Sequence, residues 1–494
     1  MLQPMPSDGA RPPLVAELEL YEAREATSFH MPGHKGGPGA HPLAHKLIGA
    51  AALRSDVSEI GGFDYLHSPE GNLLEAQRLA ARTFGADQTF FLVNGSTIGN
   101  IAAISATVGD GDKLMMFRGS HRSVFSATVL AGATPIYIEP TYDPELDGYF
   151  GVDFHSVAAA LEQHLDIKAI HVTRPSYYGI CCDLRPFVGI ARQFGLPLIV
   201  DEAHGAHFAF HPGLPTSATV AGADLVIHST HKTLGSLTQS SLLHFRERVV
   251  DIWRLTQYLH MLQSSSPSAL LLLSLDLACA HMAGEGRGLL DQAVRLAFHA
   301  REQINMIEGL WCYGDEMIGR SGVDSYDSTK LVIDLRGIRV GGFAAASWLR
   351  DRHRIGVELA DLHRIVCSVT IGDTEATVAE LIAALRSLAK HAQPHETKHV
   401  PPQGVQLPGV PGMALSPRQA SLAAWTVRPL EQARGGISAE FIIPYPPAIP
   451  MIVPGEIISA ELISTIAELK RHGHRIIGPS DASLRTVRLL KTDS

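Results

Sequence analysis

The sequence predicts an α/β protein whose large domain is built on a mostly parallel sheet. Between residues 71 and 245, short apolar runs such as PLIVDEAHG and DLVIHSTHK alternate with helix-like stretches such as FVGIARQFG. These runs are apolar throughout, which is typical of strands that are buried on both faces beneath helices. Because ligands bind at the carboxyl ends of the strands in such sheets, the polar residues that end the runs are the candidate site.

Changes in composition along the 494 residues predict an arm, three domains and a linker. Residues 1–70, rich in Gly, Pro and His, are expected to form an irregular N-terminal arm that lies on another domain or subunit. The large domain is expected at 71–325. A smaller α/β domain at 326–394 begins with the strand-like run KLVIDL. A Pro- and Gly-rich linker at 395–414 precedes a C-terminal domain at 415–494.

The composition argues against several classes of protein. A net charge of −9 without a long basic run argues against a nucleic-acid partner. The five Cys, without a CxxC pair, indicate reduced thiols rather than a disulfide framework. The N-terminus lacks the pattern of a signal peptide, and the longest apolar run, Ala269 to Leu275, is too short to span a bilayer. We therefore expect a cytoplasmic protein without a membrane partner.

Two candidate binding elements follow the first two predicted strands of the large domain. After TFFLVNG, Gly95 lets the backbone approach a ligand, and Ser96 and Thr97 open a helix. The free N–H groups of the helix start and the two hydroxyls suit a phosphate, although an N-cap explains either hydroxyl alone. After KLMMFR, the sequence GSHRS places His121 where it can stack on an aromatic ring. A lone loop His usually has no such role.

Carboxylates end the strand PLIVDEAHGAH. Asp201 at the tip of a buried strand is costly unless it is paired, and a protonated pyridine nitrogen is one suitable partner. His204 and His207 are expected near the same site. As metal ligands they lack further ligands at zinc-site spacing. Helicases also carry DEAH, but the chain has no Gly-Lys dipeptide and therefore no Walker A loop.

The strand DLVIHSTHK ends at Lys232. A Lys at the carboxyl edge of a buried strand suits a nucleophile for a carbonyl, because desolvation lowers its pKa. Ser229 and His231 flank it and are expected to reach a phosphate. The alternative is a Lys that only extends to the edge of the sheet. The order of phosphate loop, His, Asp and Ser-x-His-Lys predicts a pyridoxal-phosphate (PLP) site.

These motifs carry a resemblance to a known family. In this order, NGST, GSHRS, DEAHGAH and STHKT resemble the fold-type-I PLP enzymes, which share the aspartate-aminotransferase-like fold, and more narrowly the Orn/Lys/Arg decarboxylase family. Similar windows include HMPGHKGG, DVSEIGGFDYLHSPEG, TRPSYYGICCDL and AEFIIPYPPAIPMIVPGE. The chain looks like the short form that lacks an N-terminal wing domain. The resemblance implies a homo-oligomer, a dimer or tetramer, with active sites shared between subunits.

The resemblance also implies roles for single residues. Four are expected to be catalytic: Lys232 as the internal aldimine, Asp201 on the pyridine nitrogen, His121 stacked on the ring and His204 beside it. The remaining cofactor contacts are expected from Gly95, Ser96, Thr97, Ser229 and His231. Glu440 is expected to recognise the distal cation of the substrate, and Tyr445 to lie at the same subsite. No metal site is expected.

The implied reaction is PLP-dependent decarboxylation of a basic amino acid. Arginine to agmatine is expected first, then lysine to cadaverine or ornithine to putrescine. Two departures from the family pattern bear on the pocket: Ala448, where Gly is usual, and the adjacent Cys181 and Cys182. Three rivals stay open. They are another reaction on the same scaffold (aminotransferase, lyase or oxidase), an idle regulatory homologue, and a metal-dependent hydrolase using His204 and His207.

Overall fold

A computed structural model of the chain describes residues 11–24, 26–59, 62–320, 322–392, 407–445, 449–471 and 474–491. The chain divides into two compact units. The first unit comprises Met1–Thr107 and Ala191–Asp291, and the second comprises Val108–Ile190 and Gln292–Ser494. The predicted boundaries at 71–325, 326–394, 395–414 and 415–494 remain predictions. Most of the predicted linker and Ala448 lie outside the described residues.

The helices are α1 Pro13–Ala23, α2 Pro42–Leu47, α3 Ala50–Ser55, α4 Asn72–Phe84, α5 Gly95–Thr107, α6 Arg122–Ala131, α7 Phe154–Gln163, α8 Leu184–Phe194, α9 Ala218–Ala221, α10 Thr230–Thr233, α11 Ile252–Leu262, α12 Ala269–Asn305, α13 Gly342–His353, α14 Glu375–His391, α15 Pro417–Leu422 and α16 Ala460–Arg471. The strands are β1 Gln88–Leu92, β2 Lys113–Phe117, β3 Thr134–Ile138, β4 Tyr142–Asp143, β5 Gly148–Tyr149, β6 Ile167–Thr173, β7 Ile180–Cys181, β8 Leu198–Asp201, β9 Leu225–His228, β10 Ser241–Phe245, β11 Trp311–Cys312, β12 Ser325–Tyr326, β13 Lys330–Asp334, β14 Leu359–Ala360, β15 Arg364–Ser368, β16 Trp425–Pro429, β17 Ile443–Tyr445, β18 Arg475–Ile477 and β19 Thr486–Leu490.

In the first unit, strands lie side by side in the order β1-β10-β9-β8. β8 and β9 are parallel, whereas β10 is antiparallel to both of its neighbours. Every residue of β8, β9 and β10 is buried, as their continuous apolar runs predict. Helix α5 packs closely on this sheet, because a Cβ at Gly99 would come within 3.0 Å of both Leu92 and Ile227.

The chain directions bring several strand ends to one edge of this sheet. The register pairs Leu92 with Ser241 and His228 with Leu242. It also pairs Asp201 with Ile227, the residue before His228. The carboxyl ends of β1, β8 and β9 therefore meet the amino end of β10, where α5 and α10 begin. This is the edge at which the sequence places its candidate site.

The predicted irregular arm contains three short helices, α1 to α3. Helix α1 has no side-chain N-cap of its own. Instead, the buried carboxylate of Asp276 in α12 accepts hydrogen bonds from the backbone N–H groups of Leu14, at 2.8 Å, and Val15, at 3.3 Å. A residue distant in the chain thus satisfies donors that a helix start leaves unpaired.

The second unit holds parallel strands in the order β6-β2-β3 and a four-stranded antiparallel sheet in the order β11-β13-β15-β14. Helix α13 packs on the latter sheet, and α14 packs on α13. The C-terminal part pairs β16 with β19 and β17 with β18. Its apolar core includes Ile452, Leu462 and Ile466.

The cysteines and the longest helix bear on the expectations of reduced thiols and of no membrane span. All five Cys are buried and unbridged. Helix α12 is long and apolar enough to cross a membrane by length and composition alone, although no continuous apolar run in it has that length. Over half of its most apolar window, 56%, is buried inside the protein, which is typical of a core helix.

Candidate active site

The amino end of α5 forms a cluster of hydroxyl groups with two strands of the first unit. Ser96 Oγ lies 2.7 Å from Ser229 Oγ and donates to Ser241 Oγ at 3.1 Å. Gly95 has a φ of +75°, which strongly favours glycine, and a Cβ there would meet only the Gln239 carbonyl oxygen, at 3.7 Å. Hydroxyl groups thus gather at the amino end of a helix, where backbone N–H groups lack intrahelical partners, and this combination suits a phosphate. The side chain of Thr97 is exposed.

The carboxylate of Asp201 lies one turn of α5 away from this cluster. Asp201 is 3% exposed and accepts hydrogen bonds from the side-chain amide of Asn100, at 2.8 Å, and from the backbone N–H of Ala203, at 3.2 Å. Ser96 and Asn100 are four residues apart on α5 and therefore share a face. One helix face thus holds a hydroxyl at the phosphate end and orients a buried acid at the other end.

Lys232 lies on the short helix α10, directly after β9. Its Nζ is 3.0 Å from Nε2 of His204, which is 9% exposed. The predicted lowering of the pKa of Lys232 by desolvation stays a prediction, and the side chain is exposed in the single chain. The reason is its place at the open edge of the sheet, beyond the last strand residue. This contact brings together two side chains that the sequence analysis assigned to one site.

His231 precedes Lys232 and is half-buried. Its Nδ1 lies 2.8 Å from the carbonyl oxygen of Ser240, which can only accept, so Nδ1 carries the proton. Burial lowers the pKa of His231, the Ser240 hydrogen bond opposes this shift, and the charge of Lys232 adds to it. A neutral ring therefore presents an acceptor at Nε2. His231 can donate to a phosphate from Nε2 only in its protonated form.

Three of the predicted site residues lie in the second unit and are described by their local contacts. His121 is exposed and caps α6, where its Nδ1 accepts from the backbone N–H of Ser123 at 3.2 Å. Glu440 is buried, and its two carboxylate oxygens accept from the backbone N–H groups of Ser480 and Arg488. These contacts give Glu440 a structural role, so its contact with substrate remains a prediction. Tyr445 is 38% exposed, on β17.

The C-terminal signature of the sequence is held by a buried ion pair in the same unit. Arg118, directly after β2, makes two hydrogen bonds to the carboxylate of Glu456, at 2.6 and 2.8 Å, and one to the carbonyl oxygen of Pro450, at 2.9 Å. The pair is 4% and 0% exposed. Because the Arg118 guanidinium binds both Glu456 and the Pro450 carbonyl oxygen, it ties the segment around Pro450 to the loop that leads to His121.

Sequence reasoning missed two residues of the hydroxyl and acid cluster. Asn100 holds Asp201, and Ser241 completes the hydroxyl group around Ser96. The position of Asn100 carried a signal, since it follows Ser96 by four residues on a predicted helix. Ser241 carried none, because its place depends on the antiparallel pairing of β10 with β1.

A metal centre was one of the rival interpretations. Across the described ranges, no group of three or more His, Cys, Asp and Glu side chains is arranged to hold a metal ion. His207 is buried beside the ring of Phe208.

Comparison with known proteins identifies the family. The Orn/Lys/Arg decarboxylase major-domain model matches residues 12–377, and the model of the C-terminal domain of that family matches residues 407–475. The chain belongs to the Orn/Lys/Arg decarboxylase family. It is 43% identical to the arginine decarboxylase of Halalkalibacterium halodurans over 479 residues, which cover 97% of each chain.

Solved structures agree with the fold of this decarboxylase family member. The constitutive lysine decarboxylase of Escherichia coli superposes with a TM-score of 0.83 at 22% identity, covering 98% of this chain and 82% of that one. An alanine–glyoxylate aminotransferase from Nostoc sp. superposes with a TM-score of 0.54 at 20% identity, covering 71% and 92%. The predictions of a fold-type-I architecture, of this family and of a decarboxylase are confirmed.

Proposed function

We propose that this decarboxylase converts arginine to agmatine, with lysine and ornithine as the next candidate substrates. The observation that carries the proposal is the 43% identity to an arginine decarboxylase along nearly the whole of both chains. The residues at the strand edge of the first unit are consistent with chemistry at an amino-acid Cα. Because agmatine is a precursor of polyamines, the same proposal implies a role in polyamine biosynthesis.

The proposed cofactor is PLP, and the residues present fit it. Asp201 is 3% exposed, and its described hydrogen bonds come only from neutral donors. Its carboxylate therefore matches a protonated pyridine nitrogen. Gly95, Ser96, Ser229 and the amino end of α5 match a phosphate. Lys232 would hold the cofactor covalently. Thr97 and His231 would add to the phosphate contacts, and His121 would stack on the ring.

The residues of the chain then have separate tasks. When bound, PLP would accept the electron pair that the departing carboxylate leaves at Cα. Asp201 keeps a negative charge fixed at one end of the site, preorganised by Asn100, and such fixed charge is often the largest catalytic contribution. Lys232 Nζ and His204 Nε2 can share a proton across 3.0 Å, and either can deliver it to Cα.

The assay that tests this proposal is turnover of the purified protein with PLP on arginine, lysine and ornithine. Carbon dioxide and the amine product are followed together. Equal amounts of carbon dioxide and agmatine from arginine, with slower turnover of the other two, are the expected result. Bound PLP without carbon dioxide from any of the three would overturn the proposal in favour of another reaction at Cα.

We further propose that the enzyme is a cytoplasmic homo-oligomer with active sites shared between subunits. The N-terminal arm supports the homo-oligomer, because it exposes apolar side chains of a kind that interfaces cover: Phe29 is 94% exposed, Met31 69% and Leu47 79%. If a second copy of the chain covers these side chains, the arm segment HMPGHKGG of one subunit would lie against its partner.

A further inference from the structure

A row of buried polar side chains crosses the first unit on the sheet face opposite α5. Glu202 follows β8, and His228, His244 and Thr89 belong to β9, β10 and β1. Their exposed fractions are 0%, 0%, 1% and 3%. None of these residues has a task in the proposed reaction. Buried ionisable groups are costly, so their presence calls for a physical account.

The alternation of side chains along the strands explains why the row lies on that face. Asp201 and Ser241 point to α5, where they meet Asn100 and Ser96. Successive side chains point to opposite faces of a sheet. Glu202, the neighbour of Asp201, therefore points away from α5. His228, the neighbour of Ser229, also points away from α5. Each catalytic strand end thus carries one residue toward the proposed cofactor and one residue behind it.

The rear residues are joined by hydrogen bonds. His228 Nε2 lies 2.9 Å from Glu202 Oε2, and His228 Nδ1 lies 3.0 Å from His244 Nε2. His244 Nδ1 lies 2.8 Å from Thr89 Oγ1. Because a carboxylate only accepts, His228 donates from Nε2. Burial lowers the pKa of His244 well below its usual range, so its ring is neutral. Donation from Thr89 to His244 and from His244 to His228 then satisfies every ring nitrogen.

Glu202 also receives donors from the loop that follows. Its carboxylate accepts from Ser217 Oγ and from the backbone N–H of Ala218, each at 3.0 Å. This one side chain therefore joins the end of β8 to the end of β9 and to the start of α9. Removing one partner of such a buried group leaves the others unpaired, which is strongly unfavourable.

We propose that Glu202 and His228 are positioning residues that set the spacing between Asp201 and the Ser229–Lys232 segment. The inference rests on the proposed function. Because Asp201 and Glu202 are adjacent, as are His228 and Ser229, the rear hydrogen bond fixes the separation of the two catalytic strand ends. The proposed reaction on the α5 side of the sheet requires accurate positions, since misplacement of a reacting group by about 1 Å can lower the rate about 100-fold.

Glu202→Gln tests this, with a matched control at the other end of the same two strands. Asp224, just before β9, is 1% exposed and accepts from the backbone N–H of Leu198 at the start of β8, at 2.8 Å, and from Arg248, at 2.7 Å. It is thus also a buried carboxylate that joins β8 to β9, but at their amino ends. Asp224→Asn should lower the melting temperature without changing the site.

The readouts are the affinity of the apoprotein for PLP, the absorbance spectrum of bound PLP against pH, and kcat and KM separately. For Glu202→Gln, we expect PLP affinity and kcat each to fall at least about tenfold, with a shifted pH midpoint of the spectrum and a smaller change in KM. For Asp224→Asn, affinity and kcat should stay within about twofold of wild type at temperatures below unfolding.

A pair of substitutions at His228 keeps the test sharp should Glu202→Gln fail to fold. Gln reproduces a donor near the position of Nε2, so His228→Gln retains the bond to Glu202. Asn reproduces the position of Nδ1, so His228→Asn loses that bond. We expect PLP affinity within about threefold of wild type for His228→Gln and at least about tenfold weaker for His228→Asn.

The outcomes separate the inference from the proposed function. Equal affinities and kcat values for Glu202→Gln and Asp224→Asn, or for the two His228 variants, would overturn the inference alone if wild type binds PLP and releases carbon dioxide. A wild-type protein that binds no PLP would overturn both.

Discussion

Lys232 and His204 form the contact on which the proposed reaction depends at the scale of single residues. Nζ and Nε2 are 3.0 Å apart, while the Lys232 side chain remains exposed in the single chain and His204 is buried. The exposed amine is open to a carbonyl compound, and the buried imidazole fixes its direction. The pair thus combines an accessible amine with a fixed orientation, whereas a fully buried lysine would not be accessible.

Lys232→Ala should therefore lose at least about a thousandfold in turnover, as substitution of other covalent residues does. It should also lose the absorbance band of lysine-bound PLP. The measurement is the rate of carbon dioxide release together with the visible spectrum. Lys168→Ala is the control, because Lys168 is an exposed surface lysine and should leave both unchanged. Near-normal turnover by Lys232→Ala would remove this residue from its proposed role.

At the scale of elements, α5 has two proposed tasks. Its first turn would bind the phosphate, and its Asn100 donates a hydrogen bond to Asp201. Ser96→Ala should raise the dissociation constant of PLP about tenfold, because Ser96 Oγ bridges Ser229 and Ser241. Thr107→Ala at the other end of α5 is the control, since its hydroxyl only donates to helix carbonyl oxygens. Titration of the two apoproteins with PLP makes the comparison. Equal constants would show that the hydroxyl cluster does not bind phosphate.

Helix α1 depends on pH through Asp276. Burial raises the pKa of Asp276 from its usual 3.8 to about 6 in the folded protein. The folded state thus holds this proton more tightly than the unfolded state, and the associated stability is full below pH 3.8 and lost as pH rises through about 6. Asp276→Asn removes the buried charge but keeps an acceptor for Leu14. At pH 8 it should be more stable than wild type by about 1–3 kcal/mol.

Denaturant unfolding at pH 5 and pH 8 measures this difference, which should shrink at the lower pH. Glu285→Gln on the same helix is the control, because Glu285 is exposed and its substitution should change stability equally at both pH values. A constant advantage of Asp276→Asn at both pH values would show that titration of this carboxyl does not control the docking of α1.

Much of the fold could be predicted because the apolar pattern of each strand is a local property of the sequence. The runs that end at Asp201 and Lys232 are apolar throughout, so both their burial and the polar residues at their ends were readable. Contacts that depend on register were not readable. The partners of Glu202 come from β9 and α9, and Asp276 serves a helix more than 250 residues away in the chain. The backbone donors that occupy Glu440 were invisible for the same reason.

At the scale of the whole molecule, the exposed apolar arm predicts assembly. Leu47→Glu places a charge among side chains that an interface would cover, so it should shift the protein to a smaller oligomer. Light scattering after size-exclusion chromatography measures the mass. Leu165→Glu is the control, because Leu165 is as exposed, at 78%, but belongs to the second unit and not to the arm. Unchanged mass for Leu47→Glu would exclude this face from the interface.

The buried pair of Arg118 and Glu456 bears on the order in which the chain can mature during synthesis. A growing polypeptide completes Arg118 long before it reaches Glu456, 338 residues later. Until then, the guanidinium must stay hydrated, since a buried charge that lacks its partner costs about 3–5 kcal/mol. The loop that leads to His121 therefore stays open on the ribosome, and a nascent chain that ends before the C-terminal signature holds no finished loop there. The C-terminal signature, which is synthesised late, is therefore needed before the loop that leads to His121 can close.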